Sequence, residues 1–237
     1  MATGIKDKVA IIGMGCTRFG ERWDMGAEEL MVEAFEAGLT DAGIEKKQID
    51  AAWFGSCLEE ISVGKTAMPL STTLRLPMIP VTRVENYCAT GSEALRQACY
   101  AVASGAYDMA AAVGVEKVKD AGYQGLNAFP IPTDGTQRTL TAAAMFSLVA
   151  PAYAERYGVD PTELRRTLAR IASKNHSNGA KNPRAQFRRE MDVDAICAMP
   201  EVAGMLSVFD CAGVADGAAT AIVVRAEDAH RYTDKPL

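Results

Sequence analysis

The chain has 237 residues, of which 49% are hydrophobic and 23% charged, and its formal net charge is −5. This length and composition are ordinary for a globular protein with one large domain or two small ones. The negative charge gives no electrostatic reason to expect nucleic acid as the main partner. A membrane span is not predicted, because the chain lacks an apolar run of about 18 residues or more.

The first half of the chain alternates predicted strands with predicted helices. The strands are residues 8–15, 49–55, 79–87 and 107–115, and the helices are residues 25–42, 64–74 and 91–104. Several of the strands are nearly continuous apolar runs, which is typical of strands buried on both faces. Strands of this kind, alternating with helices, predict an α/β layer with a mainly parallel sheet.

The composition changes after Glu116. Residues 117–138 are rich in glycine, proline and polar residues and predict an extended loop, followed by a helix over 140–157. Asp160 and Pro161 begin a second helix that is expected to run to about Lys174, with a loop at 178–182. Residues 205–209 and 217–224 are strand-like again. The pattern therefore predicts an α/β domain of residues 1–116 and 205–237, with a helical domain of residues 117–204 inserted into it.

The six cysteines do not form a C-x-x-C pair, and their spacing matches neither a zinc site nor a small disulfide framework. The polar N-terminus lacks the apolar stretch of a signal peptide. We therefore expect reduced thiols, no metal site and a cytoplasmic location.

Cys88 is the strongest candidate for chemistry. It follows a predicted strand and opens a predicted helix, where helix N–H groups and the helix dipole favour a thiolate. A thiolate attacks thioester carbonyls, and the small residues that follow would let a substrate approach. The alternative is a buried structural cysteine, which is how we interpret Cys57 and Cys99.

Ordered motifs along the chain resemble the thiolase superfamily. Residues 86–95 (Asn-Tyr-Cys-Ala-Thr-Gly-Ser-Glu-Ala-Leu) resemble its nucleophile segment, in particular that of the sterol-carrier-protein-linked group often called acetyl-CoA acetyltransferases. Further segments agree in order along the chain, namely residues 9–20, 112–117, 174–183 and 210–219. The resemblance covers nearly the whole chain and supports Cys88 as the nucleophile.

This resemblance implies a mechanism and a fold. Cys88 would take an acyl group from an acyl-CoA, and thiolysis of a 3-ketoacyl-CoA or Claisen condensation would follow. CoA would be a substrate, and no cofactor would be bound permanently. The family fold is an αβαβα sandwich of two similar halves, so this chain would be the N-terminal portion, with the insertion as its CoA-binding loop domain. A homodimer or hetero-oligomer through the α/β domain is also implied.

The sequence departs from the family pattern in one respect. The family's activating histidine and oxyanion-hole residues lie in its C-terminal half, and neither His176 nor His230 matches those motifs. We therefore expect the chain to lack the C-terminal catalytic half and to show little turnover alone. It would be a truncated or proteolysed piece, a chain completed by a partner, or a non-catalytic subunit that binds a partner. Ketoacyl-carrier-protein synthases and carbon-chain-cleaving aldolases share the architecture, but the segment around Cys88 favours thiolases.

Basic residues follow the second predicted helix of the insertion. Lys181 and Arg184 are candidates to pair with CoA phosphates, although a solvated charged face is the alternative. His176 is predicted at the end of that helix, either as a polar surface residue or as a contact to CoA. The stretch from Gly13 to Arg18 lacks the third glycine of a dinucleotide fingerprint, which disfavours an NAD site.

Overall fold

The structure is a computed structural model that describes residues 4–57, 65–121, 127–133 and 136–237. The chain divides into two compact units. The sheet unit consists of the residues up to Ala121 together with Ala215–Leu237, and the inserted unit is Gly122–Val214. The domain boundaries expected from sequence, after 116 and after 204, stay a prediction.

The described residues form nine strands. They are β1 (Val9–Cys16), β2 (Ala51–Gly55), β3 (Val81–Val84), β4 (Met109–Glu116), β5 (Asn127–Thr133), β6 (Thr136–Thr141), β7 (Glu201–Ala203), β8 (Leu206–Ser207) and β9 (Gly217–Arg225). The same parts of the chain form seven α-helices. They are α1 (Ala27–Ala42), α2 (Met68–Thr73), α3 (Thr90–Ala103), α4 (Ala142–Phe146), α5 (Val149–Tyr157), α6 (Pro161–Lys181) and α7 (Val193–Cys197).

Five strands form the sheet of the sheet unit, in the order β1-β9-β4-β2-β3. β2 pairs in parallel with both β3 and β4, whereas β9 pairs antiparallel with both β1 and β4. Strands β1 to β4 therefore run in one direction and β9 runs in the other. The predicted α/β fold is confirmed, and the strand that departs from the parallel arrangement is the one that re-enters the sheet after the insertion.

Helices cover both faces of this sheet. Because side chains alternate along a strand, Ala111 and Val113 of β4 join the core cluster that contains the buried face of α1. Ala110 and Ala112 join the other cluster, which contains the buried face of α3. The small alanines of β4 are nearly inaccessible to solvent on both faces, so helices can approach the sheet closely from either side.

The inserted unit differs from its predicted form in two places. The segment expected to be an extended loop contains an antiparallel hairpin of β5 and β6. The strand-like stretch 205–209 is only partly a strand: β8 pairs with β7 in a separate two-stranded sheet. Backbone pairing within the insertion, which periodicity of a single segment does not reveal, explains both differences.

Helix α6 is longer than predicted. Asp160 begins it as expected, because its carboxylate accepts hydrogen bonds from two N–H groups of the first turn. The predicted loop at 178–182 is wrong, since the helix continues to Lys181. A Cβ placed on Gly179 would lie 2.8 Å from the carbonyl oxygen of Phe187, so the missing side chain lets the following segment cross close to the helix. Tertiary packing outweighs the weak helix propensity of this stretch, and His176 consequently lies within the helix.

Among the helices that the structure describes, none has the length and apolar character needed to cross a membrane. The cytoplasmic location stays a prediction.

Candidate active site

The carboxyl ends of three parallel strands define the candidate site. Since β3, β2 and β4 lie side by side and run in the same direction, the residues after them meet at one edge of the sheet, called here the carboxyl edge. Ser56 and Cys57 follow β2, Glu85 to Cys88 follow β3, and Glu116 ends β4. Open α/β sheets bind ligands at such edges.

Cys88 lies in a single 3-10 turn, Tyr87–Ala89, that leads directly into the 14-residue helix α3. Its side chain is exposed. The predicted position between a strand and a helix is therefore confirmed. Helix-start N–H groups carry partial positive charge, which favours an anion at this position. The role of Cys88 as the nucleophile stays a prediction at this point.

Cys57 is a second thiol at the carboxyl edge. Its backbone N–H donates to Glu116 Oε1 at 2.5 Å, and the preceding carbonyl, of the fully buried Ser56, accepts from Arg83 Nη2 at 2.7 Å. Burial, followed by the negative charges of Glu116 and Glu85, raises the pKa of Cys57 to about 11. Cys57 follows β2 and Cys88 follows β3, and these two strands pair side by side, so the two cysteines lie at the same edge of the sheet.

The sequence-based interpretation of Cys57 as purely structural missed this proximity. Cys57 and Cys88 are 31 residues apart, and only the pairing of β2 with β3 brings their segments together. A usable signal was present, because both cysteines closely follow predicted strands of a parallel sheet.

The two thiols are expected to differ sharply in alkylation by iodoacetamide. At pH 8, Cys88 should react first because it is exposed, whereas roughly one Cys57 in a thousand would be a thiolate, given its pKa of about 11. As the pH is raised towards that pKa, the rate of Cys57 labelling should increase about tenfold per pH unit. Peptide mass spectrometry would measure this rate. Glu116→Gln, which removes one of the negative charges, should accelerate it. Equal labelling of both thiols at pH 8 would contradict this picture.

Asp216 organises the backbone at the end of β4. Its carboxylate is fully buried and accepts hydrogen bonds from the backbone N–H groups of Arg22, Val118 and Lys119, at 2.8 to 3.0 Å. Lys117, which is itself 5% exposed, donates its ammonium group to the same carboxylate at 3.0 Å. One buried side chain thus ties the segment leaving β4 to the segment entering β9. The sequence offers no local sign of this role.

The only histidine of the sheet unit lies away from the carboxyl edge. His230 belongs to a 3-10 helix, Ala226–Arg231, that follows β9. The last residue of β9, Arg225, pairs with Val9, the first residue of β1, so β9 ends at the opposite edge of the sheet. His230 is therefore not placed to take a proton from Cys88.

The inserted unit contains a cavity of about 500 Å³. The predicted CoA contact His176 lines it, together with Phe187 and Phe209. The imidazole packs edge-on against the Phe209 ring, with 5.4 Å between ring centroids, and its buried Nδ1 has no hydrogen-bond partner in the parts of the chain that are described. Lys181 and Arg184 are exposed and do not line the described cavity.

A buried ion pair also belongs to this cavity region. Asp210 lines the cavity, and its side chain is only 6% exposed. Arg165 Nη1 lies 2.9 Å from Asp210 Oδ2 and forms an ion pair with it, and the backbone N–H and hydroxyl of Ser207 donate hydrogen bonds to the same oxygen at 2.8 Å. The other oxygen, Oδ1, is buried without a partner among the described residues. Sequence reasoning did not identify either residue, because they come from distant parts of the insertion.

Comparison with known proteins agrees with the motifs. A family model, the thiolase N-terminal domain, matches residues 9–227. An acetyl-CoA acetyltransferase of Methanothermobacter thermautotrophicus is 34% identical over 97% of this chain and 60% of its own length. An acetyl-CoA acetyltransferase of Methanocaldococcus jannaschii is 36% identical over 96% of this chain and 58% of its own length. Sterol carrier protein 2 of Homo sapiens is 31% identical over 95% of this chain and 43% of its own length.

Solved structures support the same fold. An Ltp2-ChsH2(DUF35) aldolase superposes with a TM-score of 0.76 at 21% identity, covering 98% of this chain and 59% of that one. An acetyl-CoA acetyltransferase from Syntrophomonas wolfei superposes with a TM-score of 0.67 at 18% identity, covering 95% of this chain and 66% of that one. The chain spans between 43% and 60% of the length of the three curated relatives given above. Because the family model matches nearly all of it, the chain belongs to the thiolase N-terminal domain family.

Proposed function

We propose that this protein is a thiolase-type acyltransferase that acts on acyl-CoA thioesters through a covalent acyl-Cys88 intermediate. The observation that carries the proposal is the exposed thiol of Cys88 directly before α3, at the carboxyl edge of a thiolase-family sheet. Two of its relatives are named acetyl-CoA acetyltransferase, which supports a CoA thioester as the substrate.

The proposed reaction has two transfers. The Cys88 thiolate attacks the thioester carbonyl, and the C–S bond to CoA breaks, so the acyl group stays on sulfur and the CoA thiolate leaves and takes a proton. In condensation, a second acyl-CoA loses its α-proton to a base, its α-carbanion attacks acyl-Cys88, and a carbon–carbon bond forms as the Cys88 thiolate is released. In thiolysis, the Cys88 thiolate attacks the 3-keto carbonyl of a 3-ketoacyl-CoA instead, the bond between C2 and C3 breaks, and the leaving α-carbanion takes a proton to give acetyl-CoA. A CoA thiolate then attacks acyl-Cys88 and releases the Cys88 thiolate. The N–H groups before α3 would help to stabilise the oxyanion of each step.

Deprotonation of Cys88 requires a base. The carboxyl edge offers Glu85, Glu116 and the thiol of Cys57, while His230 lies at the other edge. Two carboxylates disfavour a neighbouring thiolate, so neither is a good candidate to promote its formation. We propose that a further segment of the protein, or a partner chain, supplies the activating group.

We propose the cavity of the inserted unit as part of the binding site for the CoA carrier. His176 lines it between two aromatic rings, with a buried nitrogen available for a polar group of the ligand. Lys181 ends α6, and Arg184 follows it on the exposed surface, where both could pair with phosphates. The acyl-CoA concentration that gives half-maximal acylation tests both parts of this proposal. His176→Ala should raise it, and an unchanged value would contradict binding in the cavity. Lys181→Ala and Arg184→Ala should also raise it, and unchanged values would contradict the phosphate contacts.

We also propose that the sheet unit associates with another chain, as a homodimer or a hetero-oligomer. β3 lies at one end of the strand order, and edge strands can pair with a strand of another chain. The Ltp2-ChsH2(DUF35) aldolase carries two protein components in its name. Light scattering that gives the mass of one chain would contradict association.

Trapping the acyl-enzyme tests the proposed function. The purified protein that contains this chain is mixed with acetyl-CoA, quenched in acid and digested. Peptide mass spectrometry should find one acetyl group on Cys88, and a Cys88→Ala variant should carry none at the corresponding peptide. An unmodified Cys88 at saturating acetyl-CoA would contradict the proposal and favour the alternative function, a non-catalytic thiolase-like subunit that binds a partner. The placement of His230 away from Cys88 is the observation that keeps this alternative open.

A further inference from the structure

The turn that carries Cys88 has an unusual backbone. Tyr87, the residue before it, has a φ of +46°, in the left-handed region that bulky side chains rarely adopt. Such a conformation costs free energy and persists only where the surroundings hold it. Because Tyr87 directly precedes Cys88, its conformation sets the direction in which the chain enters the reactive residue.

The hydroxyl of Thr90 holds this turn from both sides. Thr90 Oγ1 accepts a hydrogen bond from the backbone N–H of Asn86 at 2.8 Å and donates one to the carbonyl oxygen of Tyr87 at 2.6 Å. The Tyr87 carbonyl belongs to the peptide bond that joins Tyr87 to Cys88, so this second bond fixes the plane from which Cys88 projects. A hydroxyl can donate and accept at once, which a methyl group in the same place cannot.

Thr90 is itself held against the sheet. It is the first residue of α3 and is 5% exposed. A Cβ built on Gly55, the last residue of β2, would lie 3.2 Å from Thr90 Cγ2 and 3.2 Å from the Thr90 carbonyl oxygen. The absent side chain of Gly55 therefore allows the start of α3 to sit close to β2. This contact ties the hydroxyl, and through it the turn, to a rigid element.

Glu85 adds a third hydrogen bond to the turn. Its Oε1 accepts from the backbone N–H of Tyr87 at 2.5 Å. Glu85 is exposed, whereas the Thr90 hydroxyl is largely enclosed. Water can replace an exposed carboxylate as an acceptor more readily than it can replace an enclosed hydroxyl, so the hydroxyl is the more important restraint.

We propose that Thr90 is a positioning residue for acyl transfer, whose hydroxyl holds the left-handed turn at Tyr87 and thereby aims the thiol of Cys88 at the bound thioester. This inference rests on the proposed function, because it assigns to Thr90 a part in the reaction of Cys88. Thr90 acts through the backbone of the turn, because its hydroxyl bonds to the backbone of Asn86 and Tyr87.

Two matched substitutions test the inference. Thr90→Val keeps the shape of the side chain but removes the hydroxyl, and Thr90→Ser keeps the hydroxyl but removes the methyl group. The measurement is the rate constant for acetylation of Cys88 at saturating acetyl-CoA, by rapid quench and mass spectrometry. Thr90→Val should lower it about 10- to 100-fold, the effect of a misplaced reacting group, and Thr90→Ser should restore most of it. The acetyl-CoA concentration for half-maximal rate should stay unchanged, since the role proposed for Thr90 concerns the direction of the thiol and not binding of the carrier.

The outcomes separate this inference from the proposed function. The positioning role would be overturned if Thr90→Val acetylated Cys88 at the wild-type rate, or if Thr90→Val and Thr90→Ser lost the same fraction of that rate. In both cases Cys88 of the unsubstituted protein would still become acylated, so the proposed function would stand. An unsubstituted protein without acyl-Cys88 would overturn both proposals. If Thr90→Val unfolds at the assay temperature, Thr90→Ala replaces it, since it removes the hydroxyl without the second buried methyl group; a rate equal to that of Thr90→Ser would then overturn the inference.

Discussion

Replacing Cys88 by alanine is expected to lower acyl transfer by roughly 10³-fold or more, the range seen when a covalent nucleophile is removed. The reason is that alanine offers no group to accept the acyl chain, while binding of the thioester by the rest of the site continues. The measurement is steady-state thiolysis of a 3-ketoacyl-CoA by the purified protein that contains this chain, with thermal unfolding to show that the variant is folded.

Cys99→Ala is the matched control for this substitution. Cys99 lies in the same helix, α3, and packs half-buried against the core cluster on that face of the sheet. Burial raises the pKa of its thiol, which disfavours the reactive thiolate. Cys99→Ala should therefore keep activity within about twofold and show only a modest loss of stability. Equal activity of Cys88→Ala and Cys99→Ala would show that Cys88 is not the nucleophile.

Replacing Asp216 by alanine is expected to destabilise the fold by about 3–5 kcal/mol, the usual cost of removing one partner of a buried ion pair. The substitution would leave the N–H groups of Val118 and Lys119 without their buried acceptor, and it would leave the Lys117 ammonium with the more exposed Asp120 as its remaining carboxylate partner. Chemical denaturation, followed by circular dichroism, would measure the loss. A change below about 1 kcal/mol would contradict the organising role of this carboxylate.

The same carboxylate should make stability depend on pH. Burial alone raises the pKa of Asp216, but hydrogen bonds from Lys119, Arg22 and Lys117 outweigh it and hold the pKa below its ordinary value. A lowered folded-state pKa stabilises the fold above the unfolded pKa of about 4, and this contribution is lost as the pH falls through the folded value. Asp216→Asn, which keeps the shape but not the charge, should lack that dependence. A variant whose unfolding free energy falls below pH 4 as steeply as the wild type's would contradict this.

The local pattern of the chain was sufficient to predict the elements that frame the site. The apolar runs and the helix-start residues predicted the α/β layer, and they placed Cys88 between a strand and a helix, as the structure shows. These features depend on side chains close together in sequence, so periodicity and capping residues reveal them. The motif around Cys88 added the family, which the comparison with known proteins confirms.

The tertiary structure decided what surrounds the thiol. Cys57 and Cys88 lie at the same edge of the sheet because β2 pairs with β3, and Asp216 reaches Lys117 because β9 inserts next to β4. Helix α6 passes its predicted end because the segment around Phe187 packs against it. The first two contacts join residues far apart in sequence, and their free energy comes from burial and hydrogen bonds that exist only once the sheet has formed. The third depends on packing within the inserted unit. The sequence by itself therefore determined the candidate nucleophile and its helix. The tertiary structure determined the second thiol at the carboxyl edge, the buried carboxylate of Asp216 and the packing of Thr90 against β2.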